Sequence, residues 1–96
     1  MAYDPGAIDA ALAAAVGDEP ALIAELRLAF VESAQRAMDA LEAAPDRDEW
    51  REAASRLKGL AASFGAIRLM ALASQAADMP RDSMILAKLK RSVARL

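Results

Sequence analysis

The chain contains no cysteine and no histidine. Without cysteine it can form neither a disulfide nor a thiolate metal site, and a reducing compartment is compatible with it. Without histidine it lacks the commonest protein ligand of transition metals and the usual general base at neutral pH. We therefore expect no metal site, and nothing in the sequence predicts a cofactor.

Long apolar runs, glycine and proline are also scarce. The longest unbroken apolar run, Ala10–Val16, is far shorter than the roughly 20 residues that a membrane-spanning helix needs. The first residues resemble no signal peptide, which favours a cytoplasmic bacterial protein without membrane contact. Four glycines and four prolines are too few for a turn-rich β protein.

Alanine and charge dominate what is present. Alanine, the best helix former, supplies 26 of the 96 residues, so we expect a single all-helical domain over residues 1–96. Residues 1–49 carry eleven Asp and Glu against three Arg, a balance of −8, whereas residues 50–96 carry three against nine, a balance of +6. Either the two halves pair within the fold, or a basic face meets an acidic partner. An overall charge of −2 argues against a nucleic-acid partner.

Apolar periodicity and helix-end signals divide the chain into five helices. Proline near the start of a helix and glycine after its end are the main signals, and Asp18 and Asp46 are predicted caps. The predicted ranges are 5–16, 20–43, about 46–64, 66–77 and 81–96. Short connections make consecutive helices antiparallel, so the prediction is an up-and-down four-helix bundle with a short N-terminal capping helix.

Each main helix has a predicted buried face. On the second it contains Leu22, Leu26, Phe30, Ala37 and Leu41, with Ile23, Ala34 and Met38 beside them. On the third it contains Trp50, Ala53, Ala54, Leu57, Leu60, Ala61 and Phe64. On the fourth it contains Ile67, Met70, Ala71 and Ser74, widened by Leu69, Leu72 and Ala73. On the last it contains Ile85, Leu86, Leu89, Val93 and Leu96.

One stretch of the third helix is more specific than these patterns. It reads Ala53-Ala54-Ser55-Arg56-Leu57-Lys58-Gly59-Leu60-Ala61-Ala62-Ser63-Phe64-Gly65. It resembles the signature helix of the histidine phosphotransfer (HPt) family through Leu57-Lys58-Gly59, Ala61-Ala62-Ser63 and Phe64-Gly65. The place of the family's phosphorylated histidine is held by Ser55. The resemblance implies an HPt scaffold that has lost its phosphoryl carrier.

The same resemblance implies a surface for a partner. The expected docking face consists of Arg51, Ser55, Lys58, Gly59 and Ala62, with Arg56 at its edge. Lys58 matches the family's lysine beside the phosphorylation site, and Gly59 leaves room for a close approach, although tight helix packing would also explain a glycine there. Ser55-Arg56-Leu57-Lys58 also fits S-x-x-K, but the other elements of penicillin-binding enzymes are missing.

These residues favour a binding module over an enzyme. We expect a monomer that docks on a response-regulator receiver domain or a histidine kinase and modulates two-component or phosphorelay signalling. One alternative is a working phosphorelay protein whose histidine was replaced by Ser55. Another is a helical scaffold or oligomerisation domain. The partner, the pathway and any modification of Ser55 do not follow from the sequence.

Overall fold

The structure, a computed structural model, describes residues 10, 12, 14, 17 and 19–96, and from residue 20 onward it contains four α-helices. We number them α1 (Pro20–Ala43), α2 (Arg47–Phe64), α3 (Ile67–Ala77) and α4 (Ser83–Ala94). Consecutive helices pack against each other and α1 also packs against α4, whereas neither diagonal pair of these four is in contact. The predicted all-α, four-helix bundle is confirmed. The predicted capping helix, 5–16, lies largely outside the described residues. Leu12 is one of its few described residues, and it is buried.

The first helix begins as predicted at a proline, whose fixed φ suits a first helical position. Its cap position is held by Glu19, which makes no side-chain capping bond, while the predicted cap Asp18 lies outside the described residues. The prediction that Leu22 is buried is wrong, since it is 37% exposed. With 24 residues against 18, 11 and 12 in the other three, α1 extends beyond its neighbours, and its fully buried positions begin only at Phe30.

The second helix has the predicted start and end. The Asp46 carboxylate accepts a hydrogen bond from the backbone N–H of Glu49 at 2.9 Å, and Gly65 ends the helix with a left-handed φ of 73°. Phe64 is only partly buried, contrary to prediction, because it lies in the last turn at the edge of the core. Its ring stacks on Phe30 with centroids 4.5 Å apart. The fully buried face comprises Trp50, Ala53, Ala54, Leu57 and Ala61.

Trp50 joins α2 to the α3–α4 side of the bundle. It is 1% exposed, and its indole Nε1–H donates to the backbone carbonyl of Ala76 in α3 at 2.8 Å. The Arg81 guanidinium lies 5.3 Å from the Trp50 ring centroid, within cation–π range. The same guanidinium donates to the carbonyls of Ala44 and Leu41 at the end of α1. Three helix ends are thus held together around one indole.

These contacts change two sequence-based predictions. The last helix begins at Ser83 rather than Arg81, because Arg81 is engaged with the indole and Asp82 caps the helix by accepting from the Ile85 N–H at 2.9 Å. The predicted apolar stripe of α3 is rotated, and Ile67 is 58% exposed. Eleven residues that are apolar nearly all round cannot define a face by period alone. The buried face is instead Leu69, Leu72, Ala73 and Ala76.

Within the described part of the chain, salt bridges neutralise little of the segregated charge. A salt bridge of 2.8 Å joins Lys90 Nζ on α4 to Glu42 Oε2 on α1. The other basic side chains of residues 50–96, apart from Arg81, have no ion-pair partner in the described part of the chain. They are Arg51, Arg56, Lys58, Arg68, Lys88, Arg91 and Arg95. Of the two readings of the charge pattern, the described contacts favour exposed basic surfaces.

Replacing Trp50 with phenylalanine should lower the free energy of unfolding by about 1–3 kcal/mol. The change removes a buried N–H···O hydrogen bond and leaves a smaller ring in the space of the indole. Urea denaturation followed by circular dichroism measures the effect. Leu28→Ala, at a side chain that is 59% exposed, is the control and should change stability by less than about 0.5 kcal/mol. Equal stability of Trp50→Phe and the parent would show that the indole contact does not hold these helices in place.

Candidate docking site

The predicted docking face lies on the side of α2 away from the core. At about 100° per residue, Arg51, Ser55 and Gly59 are rotated roughly 100°, 140° and 180° from Trp50. Lys58 and Ala62 lie in the same sector, at about 80° and 120°. The whole set is exposed, whereas the buried positions of α2 lie within about 60° of Trp50. The helix therefore brings the predicted residues together on one accessible stripe.

Gly59 lies at the open centre of this stripe. A Cβ atom built at this position meets no atom of the described residues within 4 Å. Its φ is also ordinary, because Gly17 and Gly65 are the glycines with positive φ in the described part. Neither helix packing nor backbone conformation accounts for a residue that costs about 0.5–1 kcal/mol relative to alanine in mid-helix. Within the described part of the chain, tight helix packing therefore does not explain Gly59.

Ser55 is exposed next to this opening. Its hydroxyl has no hydrogen-bond partner among the described residues, so no side chain there is positioned to remove its proton. Lys58 and Gly59 follow it by three and four residues, which places both on its own face of the helix. A kinase could esterify such a hydroxyl, but a phosphoserine ester is too stable to return its phosphoryl group to an aspartate. The described geometry therefore leaves the Ser55 hydroxyl accessible and without an activating base.

Charge on the docking face is less uniform than its sequence indicates. Arg51 and Lys58 are exposed and have no ion-pair partner in the described chain. Arg56 instead lines an open groove of about 230 Å³ between α1 and α2 together with two carboxylates. The groove is lined by Ala40, Glu49, Glu52, Ala53 and Arg56. The face is therefore cationic along its centre and mixed along its α1 flank.

The mixed-charge groove on the α1 flank was not predicted from the sequence. Glu49, Glu52 and Arg56 are spaced by three and four residues, so their common helix face could have been read from the sequence. What could not be read is that Ala40 of α1 lies across from them, because that depends on how α1 and α2 cross. A small residue there leaves the groove open.

Other chemistry finds little support in the described residues. No group of three or more His, Cys, Asp or Glu side chains is placed there to hold a metal ion. None of the described helices combines the length and apolarity needed to cross a membrane.

Comparisons with known proteins bear on the scaffold. A family model described as "Hpt domain" matches residues 20–96, a range that contains all four described helices. A comparison with curated proteins and one with solved structures gave no match.

Gly59→Ala should stabilise the protein by about 0.5–1 kcal/mol, since the position has helical φ and open space around the added methyl group. The matched control is Gly65→Ala, which should destabilise because φ at that position is 73°. Both changes are measured by urea denaturation. A loss of stability in Gly59→Ala would mean that the glycine is needed by the fold itself.

Proposed function

We propose, on the premise that the chain belongs to the Hpt domain family, that it is a binding module which docks on phosphorelay proteins without carrying a phosphoryl group. Hpt domains take part in phosphorelay signalling as phosphotransfer carriers rather than catalysts, and they interact with receiver domains and kinases. Membership therefore places the chain in this kind of signalling. The proposal concerns the role of the chain in that signalling.

One observation supports the proposal most strongly: the docking face is accessible around Gly59 while its carrier position is a serine. A carrier needs a neutral imidazole to attack a phosphoaspartate, and phosphohistidine then passes the group on because its transfer potential is comparable to that of an acyl phosphate. Ser55 supplies an unactivated hydroxyl, and the chain has no histidine at any other position. The surface for a partner is thus present without the chemistry.

The charges around Gly59 suit a receiver domain. The phosphorylation pocket of a receiver is acidic, and the unpaired cations of Arg51 and Lys58 flank the opening on α2. Charges at the rim of an interface mainly raise the association rate, and salt screens them. A patch of about six small or flexible residues is a limited interface, so we expect micromolar affinity. Occupying a receiver or kinase in this way would regulate a pathway by competition.

A monomeric single domain fits this role. Exposed large apolar side chains are few in the described helices, with Ile67 on α3, Met84 on α4, and Leu22 and Leu28 on α1. Single exposed apolar residues are common on monomers, so they do not by themselves favour the scaffold or oligomerisation alternative. Sedimentation at micromolar concentration would distinguish a monomer from an oligomer.

The alternative is a working phosphotransfer protein in which histidine was replaced by Ser55. Both hypotheses assume the same fold and the same docking face. They differ in the native gene, and a histidine codon at position 55 would favour the alternative. The two readings make the same prediction for the chain as it is and for its histidine variant.

The chain should neither take label from a phosphorylated receiver nor speed the loss of that label. Ser55→His should gain acid-labile phosphate, because it places an imidazole beside Lys58 and Gly59 on an open face. Ser55→Ala is the matched control and should behave as the parent. The experiment follows radiolabelled phosphate after electrophoresis. Acid-labile phosphate on the parent chain would refute the loss of the carrier.

Gly59→Glu should weaken receiver binding much more than Lys58→Ala. The glutamate places bulk and negative charge where the partner's backbone approaches, whereas Lys58→Ala should mainly slow association, with a larger effect at low salt. Surface plasmon resonance at two salt concentrations separates the rate from the affinity. Leu57→Ala, buried beside this face, is the control that lowers stability without changing the surface. If folded Gly59→Glu binds a receiver as well as the parent does, the functional surface lies elsewhere.

A further inference from the structure

A second cationic site lies on the other side of the bundle, between α3 and α4. It is a small cavity of about 30 Å³ where the start of α3 faces the second half of α4. None of its residues belongs to the docking face on α2. It is lined by Arg68, Lys88, Arg91, Ser92 and Arg95.

Four positive charges converge here without compensation. No carboxylate side chain lines the cavity, and none of the four cations has an ion-pair partner in the described residues. Lys90 of the same helix is engaged elsewhere, in its salt bridge to Glu42. Lys88 with Arg91, and Arg91 with Arg95, are spaced by three and four residues, where like charges repel. On an exposed helix surface each such pair costs tenths of a kcal/mol, and an anion between the cations would relieve this repulsion.

The helix dipole explains only part of the cluster. Cations near the C-terminus of α4 are stabilised by its dipole, which accounts for Arg91 and Arg95. Lys88 lies in the middle of that helix. Arg68 is the second residue of α3, at the end where the dipole disfavours a positive charge. The helix dipole therefore does not stabilise Lys88 and disfavours Arg68, although both line the cavity.

Ser92 is a second, independent feature of the cavity. It is 4% exposed, and it is the one buried polar residue among the described positions. Its Oγ has no hydrogen-bond partner there, although it lines the cavity. A buried hydroxyl without a partner costs free energy comparable to a lost hydrogen bond. It can donate to an oxygen placed between the four cations.

We infer that this cavity binds a small oxyanion of the phosphate class. Guanidinium groups match phosphate geometry and form charge-assisted hydrogen bonds with it, and the Ser92 hydroxyl adds a neutral donor. About 30 Å³ is room for roughly two water-sized probes, which suits one such group and excludes a nucleobase. A wider groove of about 450 Å³ shares Arg68 and Lys88 with it and also contains Ile67 and Leu72. That groove could accept the rest of a phosphomonoester.

This inference is independent of the proposed docking role, because it rests on α3 and α4 alone. The probes are inorganic phosphate and phenyl phosphate, with sodium chloride at matched ionic strength to subtract screening. We expect either phosphate probe to raise the melting temperature and chloride to leave it nearly unchanged. In ¹H–¹⁵N spectra of the parent, the backbone amides of residues 68, 88, 91, 92 and 95 should shift. Tighter binding of phenyl phosphate would identify a phosphomonoester as the ligand, and tighter binding of inorganic phosphate would identify the free ion.

Matched variants test the residues. Arg68→Gln should weaken phosphate binding about tenfold or more, since it removes a charge-assisted hydrogen bond. Ser92→Ala should reduce binding while making the unliganded protein no less stable, because the hydroxyl it removes has no partner. Arg47→Gln, which makes the same charge change on an exposed residue of α2, should bind as the parent does. The inference is overturned if phosphate and chloride act alike, or if Arg68→Gln and Arg47→Gln bind phosphate equally.

Discussion

The hydrogen bond from the Trp50 indole to the Ala76 carbonyl sets the rotation of α2 in the bundle. It ties α2 to the last turn of α3, and the Arg81 guanidinium over the same ring ties in the end of α1. With Trp50 directed inward, helix geometry directs Ser55 and Gly59 outward. The exposure of the predicted docking face is thus a consequence of a core contact, and its residues need no packing of their own to stay in place.

Local rules predicted the parts of this fold that depend on local chemistry. Pro20, Asp46 and Gly65 mark helix ends because proline φ, a capping carboxylate and a left-handed glycine act within one turn. The buried face of α2 followed from its period, since polar residues interrupt it cleanly. The face of α3 did not, because its residues are apolar nearly all round and its packing against the rest of the core selects among them. The start of α4 was misplaced for a related reason, as Arg81 is held by residues far away in the sequence.

The candidate site shows the same distinction between features set by local spacing and features set by how the helices pack. Which residues share the exposed stripe of α2 could be predicted from spacing alone, and their exposure agrees with it. The groove beside Arg56 and the cluster around Ser92 could not, because each is built from two helices whose crossing the sequence does not specify. The meaning of Gly59 also needed the structure. The sequence does not show whether a neighbouring helix packs against Gly59, and the structure places none there within the described residues.

We propose that a partner meets the Gly59 side of α2 and leaves no phosphoryl group there. This is tested by the ¹H–¹⁵N footprint of a phosphorylated receiver domain on the labelled chain, recorded with ³¹P spectra of the same sample. We expect amide shifts to centre on residues 51, 55, 58, 59 and 62, with no phosphorus signal transferred to the chain. A footprint centred on another helix, or the absence of a shift with every receiver of the same organism, would contradict it. So would a phosphoramidate signal.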